Sequence, residues 1–258
     1  MKKIFIILII FLFSNRCYSL DLTRTIGGRV AAMGRTSVCE QSLWALQNNP
    51  AGLAYLTGWH FGIYYENQWL LRETAFKSGG VTKAFNGIGC FGLSISQFGS
   101  SNYNENKFGI AYARDFGPYL QLGLQFDYLL LHQGEPYPNR GSLGFELGVQ
   151  SQVTQRLRLG AYLFNTLVLR FGLSYQIADN FIAQCELEKD REKTGMQVRC
   201  GFEYTVFKAF SLRAGAQYNP KILSFGAGYA FKHVTVDVAG QLHQLLGASL
   251  QIGITGFI

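Results

Sequence analysis

From residue 57 onward, apolar and polar side chains alternate with a period of two. At 119–128, Leu120, Leu122, Leu124, Phe126 and Tyr128 fall on one face and Gln121, Gly123, Gln125 and Asp127 on the other. At 142–150, Leu143, Phe145, Leu147 and Val149 oppose Gly144, Glu146, Gly148 and Gln150. At 169–177, Leu169, Phe171, Leu173, Tyr175 and Ile177 oppose Arg170, Gly172, Ser174 and Gln176. At 211–218, Leu212, Ala214, Ala216 and Tyr218 oppose Arg213, Gly215 and Gln217. Alternation this regular predicts β-strands.

A sandwich and a barrel both produce such strands, and repetition separates them. The pattern recurs in about fourteen segments of roughly 8–12 residues, the length of a tilted transmembrane strand. They lie near 57–66, 69–83, 87–98, 106–116, 119–131, 142–153, 157–164, 167–177, 180–189, 196–206, 210–218, 222–231, 234–242 and 247–257. The alternation is poorest over 67–85. The expected fold is all-β: a transmembrane antiparallel β-barrel over residues 57–258, in a bacterial outer membrane. An even strand number puts both ends on the periplasmic side. Asn86-Gly87, Gly117-Pro118 and Ala178–Asn180 are then periplasmic turns, and 99–105 and 132–141 are outward loops. In the last strand, Ala248, Leu250, Ile252, Ile254 and Ile258 are expected on one face, with Phe257 penultimate in the chain.

One hairpin predicts its own register. With its centre between Glu192 and Lys193, Glu186 faces Arg199 and Cys185 faces Cys200. The first is an opposite-charge cross-strand pair. The second is either a disulfide, which an oxidising envelope permits, or two unlinked lipid-facing thiols. Asp127, Glu146, Arg158, Arg170, Glu186, Glu188, Arg199, Glu203, Arg213 and Asp237 share the polar face. They are expected in the lumen, as a salt-bridge lattice joining wall to plug or as a selectivity lining.

The start of the chain is built differently. Lys2-Lys3, the ten apolar residues Ile4–Phe13 and Cys17-Tyr18-Ser19 read as a signal peptide, residues 1–19. Residues 20–56 follow as a Gly- and Ala-rich segment closed by Asn49-Pro50-Ala51-Gly52, with a short helix expected at Glu40–Gln47. A barrel needs no such start, and the segment reads as a plug in the lumen. Its candidate residues are Arg29, Met33, Trp44, Asn49, Pro50, Ala51 and Gly52.

Composition agrees with a barrel. Glycine is high at 30 residues, aromatics reach 15% and proline stops at 5, a balance that suits short strands with aromatic girdles. With Lys2, Lys3 and Arg16 removed from the 23 Lys and Arg, 20 remain against 16 Asp and Glu, and the charge of +7 falls to +4. Those charges are scattered, so nucleic acid is not an expected partner. Gly87–Gly92 matches the GxGxxG pattern but lies inside an alternating strand with no helix behind it. His60, His132, His233 and His243 have no metal-ligand spacing, and no GxSxG occurs. The expectation is a non-enzyme with no metal and no cofactor, in contact with outer-membrane lipid.

Gly28-Arg29, Ala31-Ala32-Met33-Gly34, Trp44-Ala45 and Asn49-Pro50-Ala51-Gly52-Leu53-Ala54 resemble the long-chain fatty-acid transporter (FadL-like) barrel superfamily, and more closely its PorV/PorQ-type members. Weaker echoes lie in Arg170-Phe171-Gly172-Leu173-Ser174-Tyr175, Gly201-Phe202-Glu203-Tyr204 and Leu212-Arg213-Ala214-Gly215. The resemblance implies a fourteen-stranded barrel with an N-terminal hatch. It also implies one of two jobs. PorV- and PorQ-type members partner secretion-system (type IX) or surface proteins, and FadL-like members pass hydrophobic small molecules. The closer likeness makes the secretion or surface-assembly role the first expectation and transport the alternative. The chain departs from the family in its short outer loops and in a lumen face of Gly, Gln, Ser and charge, which is no greasy conduit.

Overall fold

A computed structural model describes residues 24–165 and 167–258; the expected signal peptide lies outside them. The strands are β1 (Trp59–Asn67), β2 (Ala75–Phe85), β3 (Gly89–Gly99), β4 (Tyr103–Asp115), β5 (Leu120–Gln133), β6 (Arg140–Gln152) and β7 (Leu157–Phe164). They continue as β8 (Val168–Ala178), β9 (Phe181–Asp190), β10 (Gln197–Phe207), β11 (Phe210–Tyr218), β12 (Ile222–Ala230), β13 (Val234–His243) and β14 (Gly247–Phe257). Each pairs antiparallel with its sequence neighbours, and β1 pairs with β14, so the fourteen strands close into a barrel without an edge. Closure satisfies every ladder, which is the condition for a sheet to cross hydrocarbon.

The two faces differ as the alternation requires. On β5, Gln121, Gln125 and Asp127 are buried inward while Leu122, Leu124 and Phe126 stand exposed outward. The outward face repeats this around the ring with Ile63, Leu93, Ile110, Leu143, Phe171, Leu187, Leu223 and Ile252. So continuous an apolar exterior marks a surface facing lipid. No helix among the described residues is long and apolar enough to cross a membrane, so crossing falls to the strands.

Both described ends of the barrel wall meet on one side, where Trp59 and Ile258 exchange backbone hydrogen bonds of 2.8 and 2.9 Å. That side carries the shorter turns and is the periplasmic one. It also carries a girdle of outward rings, among them Phe85 against Phe91 (6.0 Å between centroids), Phe91 against Tyr112 (4.9 Å) and Tyr229 against Phe231 (4.7 Å). Aromatic rings gather at the depth of lipid headgroups, apolar body inward and polar tip in water. The longer connections, 68–74, 134–139 and 191–196, lie on the opposite, outer side.

The outer connections depart furthest from the sequence expectation. The segment 69–74 does not begin β2 but folds as two single 3-10 turns, Gln68–Leu70 and Arg72–Thr74, with Trp69 and Leu70 in left-handed backbone. The outward loop expected at 99–105 shortens because Tyr103, Asn104 and Glu105 join β4. The loop expected at 132–141 shortens to 134–139 as β5 and β6 extend toward each other. In β14 the outward row runs on as expected past Ile254, with Gly256 covered by the outward Phe61 ring and Ile258 exposed beyond it, while Phe257 pairs with His60 on the other face. The β9–β10 hairpin has the register its symmetry predicts, with Arg199 opposite Glu186 and Cys200 opposite Cys185.

Candidate functional site: a filled lumen and its outer mouth

The lumen is occupied by the chain's own N-terminal segment. Residues 24–58 form two short helices, α1 (Gly28–Ala32) and α2 (Ala45–Asn48), and a 3-10 helix, Pro50–Tyr55. The expected helix at 40–47 is replaced by turns up to Trp44, because Glu40 is held by tertiary contacts at both its carboxylate and its carbonyl rather than by an i→i−4 ladder. Asn49 caps the 3-10 helix, its Oδ1 accepting from the Ala51 N–H at 3.2 Å with Pro50 at the first helical position. Its Nδ2 donates to the carbonyls of Val38 (2.7 Å), Ala161 (3.2 Å) and Val149 (3.3 Å). One side chain therefore closes a turn, joins two parts of the segment and fastens both to the wall.

Close approach explains many of the inward glycines. Met33 and Gly34 lie directly on Gly201 and Gly215, and a Cβ on Gly215 would come within 2.1 Å of the Gly34 nitrogen. Pro50 and Ala51 lie on Gly123 and Gly148, where a Cβ on Gly148 would meet Asn49 Oδ1 at 2.0 Å. Gly52 packs on the Glu40 carbonyl. A side chain at any of these positions would need the segment to move.

Apolar contacts fill the space between. Leu43, Leu46 and Leu53 pack on Cys90, Ala111 and Ala113. Val38 and Cys39 pack on Leu129, Tyr162, Phe164 and Val168. Ile26 and Trp44 pack on Tyr64 and Phe76, the Trp44 and Tyr64 rings meeting edge-on at 5.8 Å. Each fully buried side chain of this size contributes ~1.5–3 kcal/mol to holding the segment in place.

The expected lumen charges all face inward, and all but Arg158 are drawn into three networks. In the first, Arg29 forks onto Glu203 with two 2.9 Å contacts, Glu203 also accepts from Arg213 at 2.5 Å, and Arg213 reaches Asp237 at 2.6 Å. In the second, Arg170 holds Glu188 at 2.5 Å, and Arg199 bridges Glu188 and Glu186 at 2.9 Å each. Glu186 then accepts the backbone N–H groups of Ser37 (2.6 Å) and Val38 (2.7 Å). In the third, Lys107 contacts Glu146 and, at 3.6 Å, Asp127. Arg158 stands apart, donating to Gln152 at 3.0 Å with its guanidinium 5.4 Å from the Tyr55 ring. Buried charges at such separations persist only when paired, and here the first two networks take in atoms of the N-terminal segment.

Sequence reading missed Lys107, Glu40, Arg35 and Glu66. Glu40 binds Arg29 at 2.8 Å, and Arg35 binds Glu66 at 2.5 Å and Gln241 at 2.7 Å. Lys107 was within reach, because it alternates with Phe108 and Ile110 on β4. The segment residues were not, because no periodicity aims them. Cys185 and Cys200 are free thiols on the lipid side, sulfurs 3.1 Å apart, while Cys39 and Cys90 are buried apart from each other. Among the described residues no group of His, Cys, Asp or Glu is arranged to hold a metal.

Above the segment, on the outer side, the lumen widens to a cavity of about 330 Å³. Arg24, Arg35, Lys193 and Arg199 line it with Glu188 the one carboxylate, and Trp69, Pro220, Ile222 and Leu246 supply apolar surface. A pocket of this kind suits a small apolar molecule or an amphiphile with an anionic head.

No model of a known protein family matches the sequence, and no curated protein matches it. Solved structures do. The Ralstonia pickettii toluene transporter TbuX superimposes with a TM-score of 0.67 at 15% identity, over 93% of this chain and 100% of that one. The Pseudomonas putida toluene transporter TodX gives 0.69 at 12%, over 93% and 98%. A Pseudomonas aeruginosa FadL homologue gives 0.64 at 12%, over 90% and 98%. The fold is that of the FadL-type outer-membrane barrels. Likeness at this identity is one of architecture: the same closed wall, over nearly the whole length of both chains.

Proposed function

We propose that this protein is a non-enzymatic outer-membrane port for hydrophobic small molecules, entered from the outer mouth and closed from below by the N-terminal segment acting as a hatch. The observation that carries the reading is the 330 Å³ mouth cavity seated on a lumen otherwise filled with protein. A wide water-filled channel would need an open lumen, and here the wall is packed against residues 26–56. A solute that enters the mouth must move the hatch or pass around it. The Trp69, Pro220, Ile222 and Leu246 side chains favour a solute with apolar surface over sugars.

FadL-type neighbours support this reading over the first expectation from sequence. The secretion or surface-assembly role rests on the sequence likeness and the polar lumen face. It would also have to use outer connections no longer than 68–74, 134–139 and 191–196.

Calorimetric titration of the purified barrel with a medium-chain fatty acid tests the mouth directly. Saturable binding that Leu246→Asp weakens at least about tenfold, or ~1.4 kcal/mol, supports the proposal. Absence of binding to the unaltered protein removes it.

A further inference from the structure

The lipid-facing wall carries a groove that the lumen does not use. Gly240 of β13 stands in register between Phe225 of β12 and Leu250 of β14. Its backbone has no positive φ, so no turn or strain requires a glycine there. What the glycine supplies is space: a Cβ on it would meet nothing within 4 Å, and a depression of about 490 Å³ lies over it. A second depression of about 480 Å³ leads on to Lys221, His243 and Gln244 at the outer ends of β12 and β13. Leu242 borders both, so the two depressions lie end to end from mid-wall to outer rim.

The groove's chemistry changes along its length. Its lower part is walled almost wholly by carbon, from Phe225, Val238, Leu242 and Leu250, and matches an acyl chain. At its upper end the Lys221 side chain is exposed. In the same turn Asn219 donates its amide to the carbonyls of Thr194 (3.1 Å) and Met196 (3.4 Å), which ties the turn to the 191–196 hairpin. There the Lys189 ammonium is held by the carbonyls of Gly195 (3.0 Å) and Lys193 (3.2 Å). Lys221 in its turn and Lys189 on β9, at the foot of the 191–196 hairpin, thus flank two outer connections that touch. Of the nearby carboxylates, Asp190 is turned inward and paired with Lys193 at 3.3 Å, and Glu192 sits at the hairpin tip.

We propose that this groove binds one phosphorylated glycolipid of the outer leaflet, an acyl chain lying over Gly240 and a phosphate at Lys221 and Lys189. The outer leaflet is the side on which the groove opens. Basic clusters at the membrane surface recognise anionic lipid headgroups, with about fivefold in affinity for each lysine engaged.

The test places the mature protein in phosphatidylethanolamine nanodiscs containing lipid A or enzymatically dephosphorylated lipid A. Retained lipid is counted by native mass spectrometry after release from the disc. One lipid A per barrel is expected. Gly240→Leu, which fills the groove from outside, and Lys221→Glu, which leaves its walls intact, each lower the retained fraction about fivefold or more. Val149→Leu, an outward change on β6, leaves it unchanged. Heat-modifiable mobility on gels verifies that each variant is a closed barrel. Wild-type retention by the Gly240 or the Lys221 variant, equal retention of the dephosphorylated lipid, or a second barrel copy in place of lipid would each overturn the proposal.

Discussion

Arg29 and Glu203 meet through two parallel contacts of 2.9 Å, one from Nε and one from Nη2, and this fork joins the hatch to strand β10. Arg29 also holds Glu40 within the hatch at 2.8 Å. Burial alone would depress the guanidinium, but the Glu203 and Glu40 carboxylates outweigh it and leave its pKa raised. Glu203→Gln therefore takes one of two carboxylates from each of two buried arginines, leaving Arg29 with Glu40 alone and Arg213 with Asp237 alone. Breaking such a pair from one side costs ~3–5 kcal/mol. The variant is expected to expose Arg29 and Arg35 to trypsin in the folded barrel. Replacing Arg29 and Glu203 together by Met is expected to cost less than Glu203→Gln alone, since Arg213 retains Asp237. Equal protease resistance in wild type and Glu203→Gln would show that the fork does not hold the hatch.

Asn49→Ala removes a helix cap and three bonds to backbone carbonyls at once. Each buried polar group left unpaired costs ~1–3 kcal/mol. The expected result is faster hydrogen exchange over residues 49–53, with the β-strands unaffected. Unchanged exchange at the Ala51 amide would contradict the capping role.

The cysteines give a reactivity prediction with a pH sign. Burial, with Glu186 adding to it, pushes the Cys39 thiol up to about 12. At pH 8 its thiolate is then about one part in ten thousand. Folded protein should therefore leave Cys39 unalkylated until denatured. A raised acid pKa makes the folded state the tighter proton binder. Its effect on stability is nil below about pH 9 and destabilising from there upward, by at most ~1.4 kcal/mol per pH unit. Cys39→Ser should flatten that part of the denaturation profile. Cys185 and Cys200, with sulfurs 3.1 Å apart on the exposed face, should be the pair that diamide links. A diamide product joining any other two cysteines would refute this.

Gly215→Val tests whether the close approach of hatch and wall is obligatory. The new side chain would occupy the space of Met33 and Gly34. Overpacking of this kind typically costs ~1–3 kcal/mol. Displacement of the hatch is the cheaper response, because the wall's ladder pairs on both sides of β11. Planar-bilayer conductance should rise while the barrel stays heat-modifiable. Wild-type conductance from a folded Gly215→Val barrel would mean that the hatch accommodates the change without opening.

The wall was legible in the sequence because its physics is local. Each strand announces itself by which of its residues meet lipid, so β7, β11 and β14 were bounded to the residue. The β9–β10 register followed from one symmetric turn. The start of β2 was misread because Trp69, Leu70 and Leu71 are apolar yet sit in an exposed outer connection, where hydrophobicity reports the mouth and not a strand. The inward charges were legible as a set, but their partners were not. Arg29 lies 174 positions from Glu203, and only the closed ring brings them together. The inward glycines read in sequence only as members of the polar face, and several are the surface on which the hatch rests.

Uptake tests the central claim most directly. A strain lacking this protein, with or without the gene restored, is supplied with radiolabelled fatty acid and with toluene at limiting concentration, and initial rates are measured. The account predicts a rate several-fold higher with the wild-type gene and a reduced one with Leu246→Asp. Equal rates with and without the gene, for both solutes, would contradict it.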